Sequence, residues 1–194
     1  MRTNTDHALA ERADWEDLYD QILSVKSNLS FKDLSGSSSE YILILNTHMQ
    51  IVFVTRRCLD LLGIEDPAEV YGCRTGEVIQ CIYSNRENGC GTTPFCHLCG
   101  AAHAILGSLK GDTNTRKFHV TQQHNDQTLA LTITTKPIRL SGTRYILLSL
   151  ATSDNEQEQE NQPTRLLPGP AAFDRRTAQM IRKAKRHKGS SERT

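Results

Sequence analysis

Thr128-Leu129-Ala130-Leu131-Thr132-Ile133-Thr134-Thr135-Lys136-Pro137 is followed, after a short connection, by Thr143-Arg144-Tyr145-Ile146-Leu147-Leu148-Ser149-Leu150-Ala151. In the first run Leu129, Leu131 and Ile133 alternate with Ala130, Thr132 and Thr134, so an extended chain sets an apolar face against a mostly hydroxylated one. The second run is continuously apolar from Tyr145 to Leu148, the pattern of a strand in the middle of a sheet. Just upstream, Arg116 to His124 reads as a third strand. Farther out, Thr93-Pro94 predicts the start of a helix, with Thr93 as N-cap and Pro94 at the first helical position. That helix carries Cys96, Cys99, Ala102, His103, Ile105, Leu106 and Leu109 before Gly111 stops it. Tyr41-Ile42-Leu43-Ile44-Leu45 and Ile51-Val52-Phe53-Val54 flank a polar turn and suit a hairpin. Cys58, Leu59, Leu61 and Leu62 then line a short helix closed by Gly63, and Pro67 to Gly72 predicts a further helical turn. Two strands, several short helices and three strands make an α+β domain, one antiparallel sheet packed on helices.

The order β-β-α-α-α-β-β-β resembles the PAS sensor domain over roughly residues 40–153. Its most specific part is Gly76-Glu77-Val78-Ile79-Gln80-Cys81, then Asn88-Gly89-Cys90-Gly91-Thr92, then Phe95-Cys96-His97-Leu98-Cys99-Gly100-Ala101. These residues resemble a cysteine-bearing subgroup of bacterial PAS domains, often attached to histidine kinases and other signalling outputs. The resemblance implies a five-stranded antiparallel sheet, a sensing role and a protein partner such as a signalling kinase or regulator. The residues after Ala151 are too few for a kinase or cyclase, so a stand-alone sensor is expected. No general acid/base pair, phosphate-binding glycine loop or nucleophile triad is visible, and enzymatic activity is not expected.

Six cysteines in a chain without a signal-peptide core point to metal or redox chemistry rather than to a disulfide framework. Cys81, Cys90, Cys96 and Cys99 have the spacing C-x8-C-x5-C-x2-C. Four soft ligands, two in a C-x-x-C pair on the first turns of a helix, suit zinc or an iron–sulfur cluster. Gly89, Gly91 and Gly100 beside three of them permit tight turns and close approach. Two other readings stay open: a redox dithiol at Cys96 and Cys99, including a thiol-disulfide enzyme, and four reduced cysteines packed around a loop. A c-type haem is not expected, because Gly100 follows Cys99 where a histidine is required. Some PAS domains bind haem through a histidine on the corresponding helix, which leaves His103 as an axial ligand or a polar surface residue. The flavin-binding branch's Gly-x-Asn-Cys-Arg-Phe-Leu-Gln signature is absent, so flavin is not expected either. Cys58 reads as a small buried hydrophobe, and Cys73, outside the group of four, as structural.

The ends differ from this core. In residues 1–34, Trp15, Leu18, Ile22, Val25 and Leu29 form an apolar helical seam that either packs on its own domain or joins two copies as a homodimer. Acidic Asp14, Glu16, Asp17 and Asp20 near its start favour the helix dipole. Ser35 to Ser39 is a flexible linker, 154–170 a polar one. In the basic tail, 171–194, eight basic residues oppose the two acidic residues Asp174 and Glu192, a net of +6, whereas the whole chain of 194 residues carries +1. The tail can become helical on nucleic acid, an anionic membrane or an acidic partner, and a nucleic-acid adaptor is the reading that uses it. Near-neutral total charge excludes a wholesale polyanion binder. No apolar run approaches the roughly 18 residues of a membrane span, and a cytoplasmic protein is expected. A mean hydropathy of −0.48 reflects polar ends diluting one core.

Overall fold

The computed structural model describes residues 10–28, 41–86, 88–123 and 128–152. Helix α1 (Trp15–Asn28) precedes β1 (Tyr41–Leu45), β2 (Ile51–Val54), α2 (Arg56–Leu62), a 3-10 turn at Pro67–Glu69 and the single-turn α3 (Thr75–Val78). A second 3-10 turn (Pro94–Leu98) leads into α4 (Gly100–Lys110), followed by β3 (Asn114–Thr121), β4 (Thr128–Leu140) and β5 (Thr143–Thr152). All strand pairs are antiparallel, in the order β2-β1-β5-β4-β3. The fold is therefore α+β and PAS-like, and β5 is central as its unbroken apolar run requires. Ser35 to Ser39, Leu29, the 154–170 linker and the 171–194 tail lie outside the described residues, as does His124.

Register decides which residues share a face. Leu43 pairs with Leu148, Tyr41 with Leu150, and Leu150 with Ile133. This inner face meets Cys58, Leu61 and Leu62 of α2 and Val78 and Ile79 around α3, and the cavity left between them is about 10 Å³. That is at the lower limit for one water molecule. The opposite face of the two central strands, Ile42, Ile44, Tyr145, Leu147 and Ser149, is also buried. Helix α1 covers it: the helix touches β2 and β4, Ser24 hydrogen bonds the Tyr145 hydroxyl, and Leu18, Ile22 and Val25 are buried. The apolar seam of α1 thus packs on its own sheet, and Leu23 remains its exposed apolar residue.

Polar groups fix where α1 begins. Asn46 and Gln50, both buried, sit in the β1–β2 turn. Asn46 Oδ1 accepts from the His48 and Gln50 amides, and its Nδ2 donates to Gln21 of α1. Gln50 Oε1 accepts from the Ala13 amide, and its Nε2 donates to the Gly72 carbonyl. Each buried amide finds partners, as burial requires.

The predicted helix from Thr93 to Gly111 is in fact two elements. Thr93 and Pro94 start a 3-10 turn, and Cys99, at φ −80° and ψ 115°, leaves helical geometry and becomes the N-cap of α4. The break follows from packing. A Cβ on Gly100 would lie 2.7 Å from the Lys117 carbonyl oxygen of β3, so α4 starts pressed against the sheet edge and the preceding turn bends away from its axis.

Burial pushes the Cys58 thiol up to about 12 from its ordinary 9.0, and it also raises Cys73, Tyr71 and Tyr145. In the unfolded chain these groups ionise first, so the stability they contribute is intact below about pH 9 and is lost as pH rises towards the folded-state values. The urea midpoint is expected to hold level to about pH 8 and fall above about pH 9, with a shallower fall in Cys58→Ala. An identical alkaline slope in the variant contradicts this assignment.

Candidate functional site

The four cysteines arrive from three places. Cys81 follows α3, Cys90 lies in the loop after it, and Cys96 and Cys99 belong to the 3-10 turn and the cap of α4. Gln80, at φ 58°, takes the left-handed conformation that few side chains adopt. This reversal returns the Cys81 amide to the Gly76 carbonyl at 2.8 Å. Cys81 also bridges to Gln122, and the Ile82 amide donates to the Thr121 carbonyl, which ties the start of the loop to the end of β3. Gly89 and Gly91 both have positive φ, 96° and 93°, which lets the chain turn on each side of Cys90. Tyr83 stacks on Phe95 with ring centroids 4.3 Å apart, and Arg86 lies over both rings. This brace joins the Cys81 side of the loop to the Cys96 side.

The arrangement brings the thiols into electrostatic range of one another. Cys81 is raised by burial first, with Cys99 and Cys96 adding to the rise. Cys90 is raised strongly by burial, again with contributions from Cys96 and Cys99, and is opposed by the Gly76 amide donating to its sulfur. All six cysteines are free thiols. Among the described residues, no three His, Cys, Asp or Glu side chains already form a metal-holding group. In kind, four thiols suit a thiophilic ion, and two of them, Cys90 and Cys96, lie beside a buried guanidinium; in position, they do not make a coordination shell.

That guanidinium belongs to Arg74, which is fully buried. Burial and Arg12 push its pKa down, while Glu77, Cys90 and Cys96 hold it up. Its Nη1 donates to the Cys90 carbonyl at 3.0 Å. Glu77, three residues on, accepts from the Arg74 amide at 2.9 Å and from the Cys90 amide at 3.3 Å. Neither residue follows from cysteine spacing. The available signal was an isolated Arg before Thr75, with a Glu at the third helical position where a side chain reaches back to the helix start.

Cys58 and Cys73 are both buried, and Cys73, next to Arg74 in the chain, lies within range of Glu77 and Arg12. His103 is exposed, with Nε2 at 2.5 Å from the His97 carbonyl oxygen, which is the position of a polar surface residue. Cys96 Sγ lies 3.3 Å from Thr93 Oγ1. Beside Cys99, an open groove is lined by Leu98, His103, Arg116, Lys117 and His119. Among the described residues no helix is long and apolar enough to cross a membrane.

No protein-family model matches the chain, and neither does any curated protein. Solved structures similar to it include the PAS domain of an HTR-like protein from Haloarcula marismortui, at 16% identity and a TM-score of 0.42, covering 71% of this chain and 98% of that one. The PAS domain of nitrogen regulation protein NR(II) from Vibrio parahaemolyticus is similar at 11% identity and a TM-score of 0.43, covering 62% and 94%. A LOV protein from Rhodobacter sphaeroides is similar at 11% identity and a TM-score of 0.44, covering 90% and 99%.

Gly76 tests the packing of the site without touching a cysteine. A Cβ there would lie 2.5 Å from Cys90 Sγ and 3.0 Å from Cys90 Cβ. Gly76→Ala is expected to displace the Cys90 thiol by an overpacking cost of about 1 kcal/mol, roughly a fivefold rise in its alkylation rate. Mass spectrometry after timed alkylation checks this, and an unchanged Cys90 rate contradicts the packing.

Proposed function

We propose that the chain is a non-catalytic PAS-type sensor whose input is the cluster of Cys81, Cys90, Cys96 and Cys99, and whose output is a changed contact with a protein partner such as a signalling kinase or regulator. The reading rests on one observation: the loop and turns of residues 81–99 bring Cys81 and Cys90 each within electrostatic range of Cys96 and Cys99, with the buried Arg74 beside Cys90 and Cys96. Four thiolates around zinc, or around an iron–sulfur cluster, leave a negatively charged centre. Arg74 supplies an opposite charge beside Cys90 and Cys96.

Cys99 favours a second reading. It is the N-cap residue of α4 and stands in a C-x-x-C pair with Cys96, the spacing of a dithiol that can close to a disulfide. In that case Cys96 and Cys99 respond to an oxidant as a dithiol. The same sensing role follows, with a different trigger.

Anaerobic purification with metal analysis and an absorption spectrum separates these readings. Zinc or iron bound in the wild type and lost in Cys90→Ser supports the metal centre. A reversible Cys96–Cys99 disulfide without metal supports the dithiol. A colourless, metal-free protein with four independently reacting thiols overturns both. Because the thiols must ionise to bind a metal, and Cys81 and Cys90 are held protonated, zinc uptake is expected to release protons and weaken as pH falls. Isothermal titration in buffers of different ionisation enthalpy measures this; zinc affinity that does not change with pH contradicts it.

A further inference from the structure

The backbone of Cys90 is held on both sides. Its amide donates to Glu77 Oε1, and its carbonyl accepts from Arg74 Nη1. Both holding residues also hold the segment that leads into α1. Glu77 takes the two ends of the Arg12 guanidinium, Nη2 at 2.5 Å and Nη1 at 3.2 Å, and Arg74 Nη2 donates to the Glu11 carbonyl at 3.3 Å. Arg12 Nη1 donates as well to the Gly72 carbonyl at 3.1 Å. A Cβ on Gly89, next to Cys90, would overlap both Glu77 Oε1 and Arg12 Nη2, so the loop lies directly on this ion pair. Glu77 and Arg74 are anchored by α3, whose first turn they build.

We propose that Arg74 and Glu77 form a clamp that couples the position of Cys90 to the docking of residues 11–28 on the sheet. The proposal rests on the reading of the cysteine loop as the input, and it names the route out of that loop. A ligand or modification that draws Cys90 towards the other three sulfurs pulls its amide from Glu77 and its carbonyl from Arg74. The partners freed on the clamp are the ones that hold Arg12 and Glu11. Helix α1 then keeps its apolar contacts and the Gln50 bond to Ala13 but loses the charged anchor at its start. Coupling of this kind is reciprocal. Loosening Arg12 must therefore free Cys90, just as moving Cys90 must free α1.

Two measurements on the full chain test both directions. First, Arg12→Gln is expected to raise the alkylation rate of Cys90 by about fivefold or more, while buried Cys58 stays unreactive and shows that the fold persists. Second, hydrogen exchange across residues 15–28 is followed before and after alkylation of Cys90 in a Cys81→Ser, Cys96→Ser, Cys99→Ser background. Exchange is expected to accelerate in the chain with Arg12 and to change little in the chain with Arg12→Gln, a difference that a purely structural arginine does not produce. Equal Cys90 rates with and without Arg12, or equal acceleration in both backgrounds, overturns the clamp. Neither measurement needs a metal or a physiological oxidant. If zinc and oxidant leave the cluster untouched while both effects appear, the clamp stands and the sensor reading falls.

Discussion

Strands β1 and β5 are apolar on both faces, and that constraint organises the rest. Ile42 and Leu43, Tyr145 and Ile146, Leu147 and Leu148 point alternately to opposite sides, and all six are buried. A sheet with one wet face would strand half of them in water, at about 1.5–3 kcal/mol for each large side chain. Helices α2, α3 and α4 cover one side, and they leave no element from the middle of the chain for the other. The helix that covers the outer side therefore comes from before β1. Packing α1 there consumes the apolar seam of Leu18, Ile22 and Val25 and places its N-terminal end beside the β1–β2 turn, within reach of Gly72, Arg74 and Glu77.

The same requirement explains why a charged residue is found in the interior. Where α1 begins, the β1–β2 turn, the segment of Gly72 that leads into α3 and the Cys90 loop meet, and each brings polar groups that regular structure does not satisfy. Arg74 spans them, donating to the carbonyls of Cys90 and Glu11, and Glu77 accepts from the amides on the same side. Leaving those groups unpaired costs about 1–3 kcal/mol each. One buried guanidinium and one carboxylate replace the water that the junction excludes, and the thiol cluster is built against them.

Much of the fold was legible because period and burial agree. The runs at Tyr41–Leu45 and Ile51–Val54 became strands with those bounds, and the alternation of Leu131 and Ile133 with Thr132 and Thr134 reports their two faces. Gly63 closes α2 as its position after Leu62 suggested. The failures lie where a local signal met a tertiary demand. Thr93-Pro94 is a sound start for a helix, yet nothing in residues 93–111 says that Gly100 must pass under the Lys117 carbonyl, and that contact divides the helix at Cys99. The seam of α1 was legible as apolar but not as belonging to its own sheet, because a stripe of that length does not say what it covers. In the site, spacing identified the four sulfurs. Arg12, Arg74 and Glu77 could not be found in the same way, since their partners are backbone atoms and side chains up to 65 residues distant.

The split at Cys99 changes what the C-x-x-C pair can do. On one continuous helix, Cys96 and Cys99 would move together, and any change at one would be felt along α4. With the break between them, Cys99 is held to the sheet through Gly100 and β3, whereas Cys96 is held by Thr93 and by the neighbouring Phe95–Tyr83 stack. Cys81 is tied to β3 through Gln122, and Cys90 to the α1 junction through Arg74 and Glu77. The four sulfurs are thus carried by three supports: the sheet edge for Cys81 and Cys99, the aromatic brace for Cys96, and the charged junction for Cys90. Anything that draws them together must strain at least one support. The sheet edge is continuous with the core, and the aromatic brace is local to the loop. Cys90 is the sulfur whose support also holds a separate element of the fold, so a change in the cluster has its most direct path to α1 through that residue.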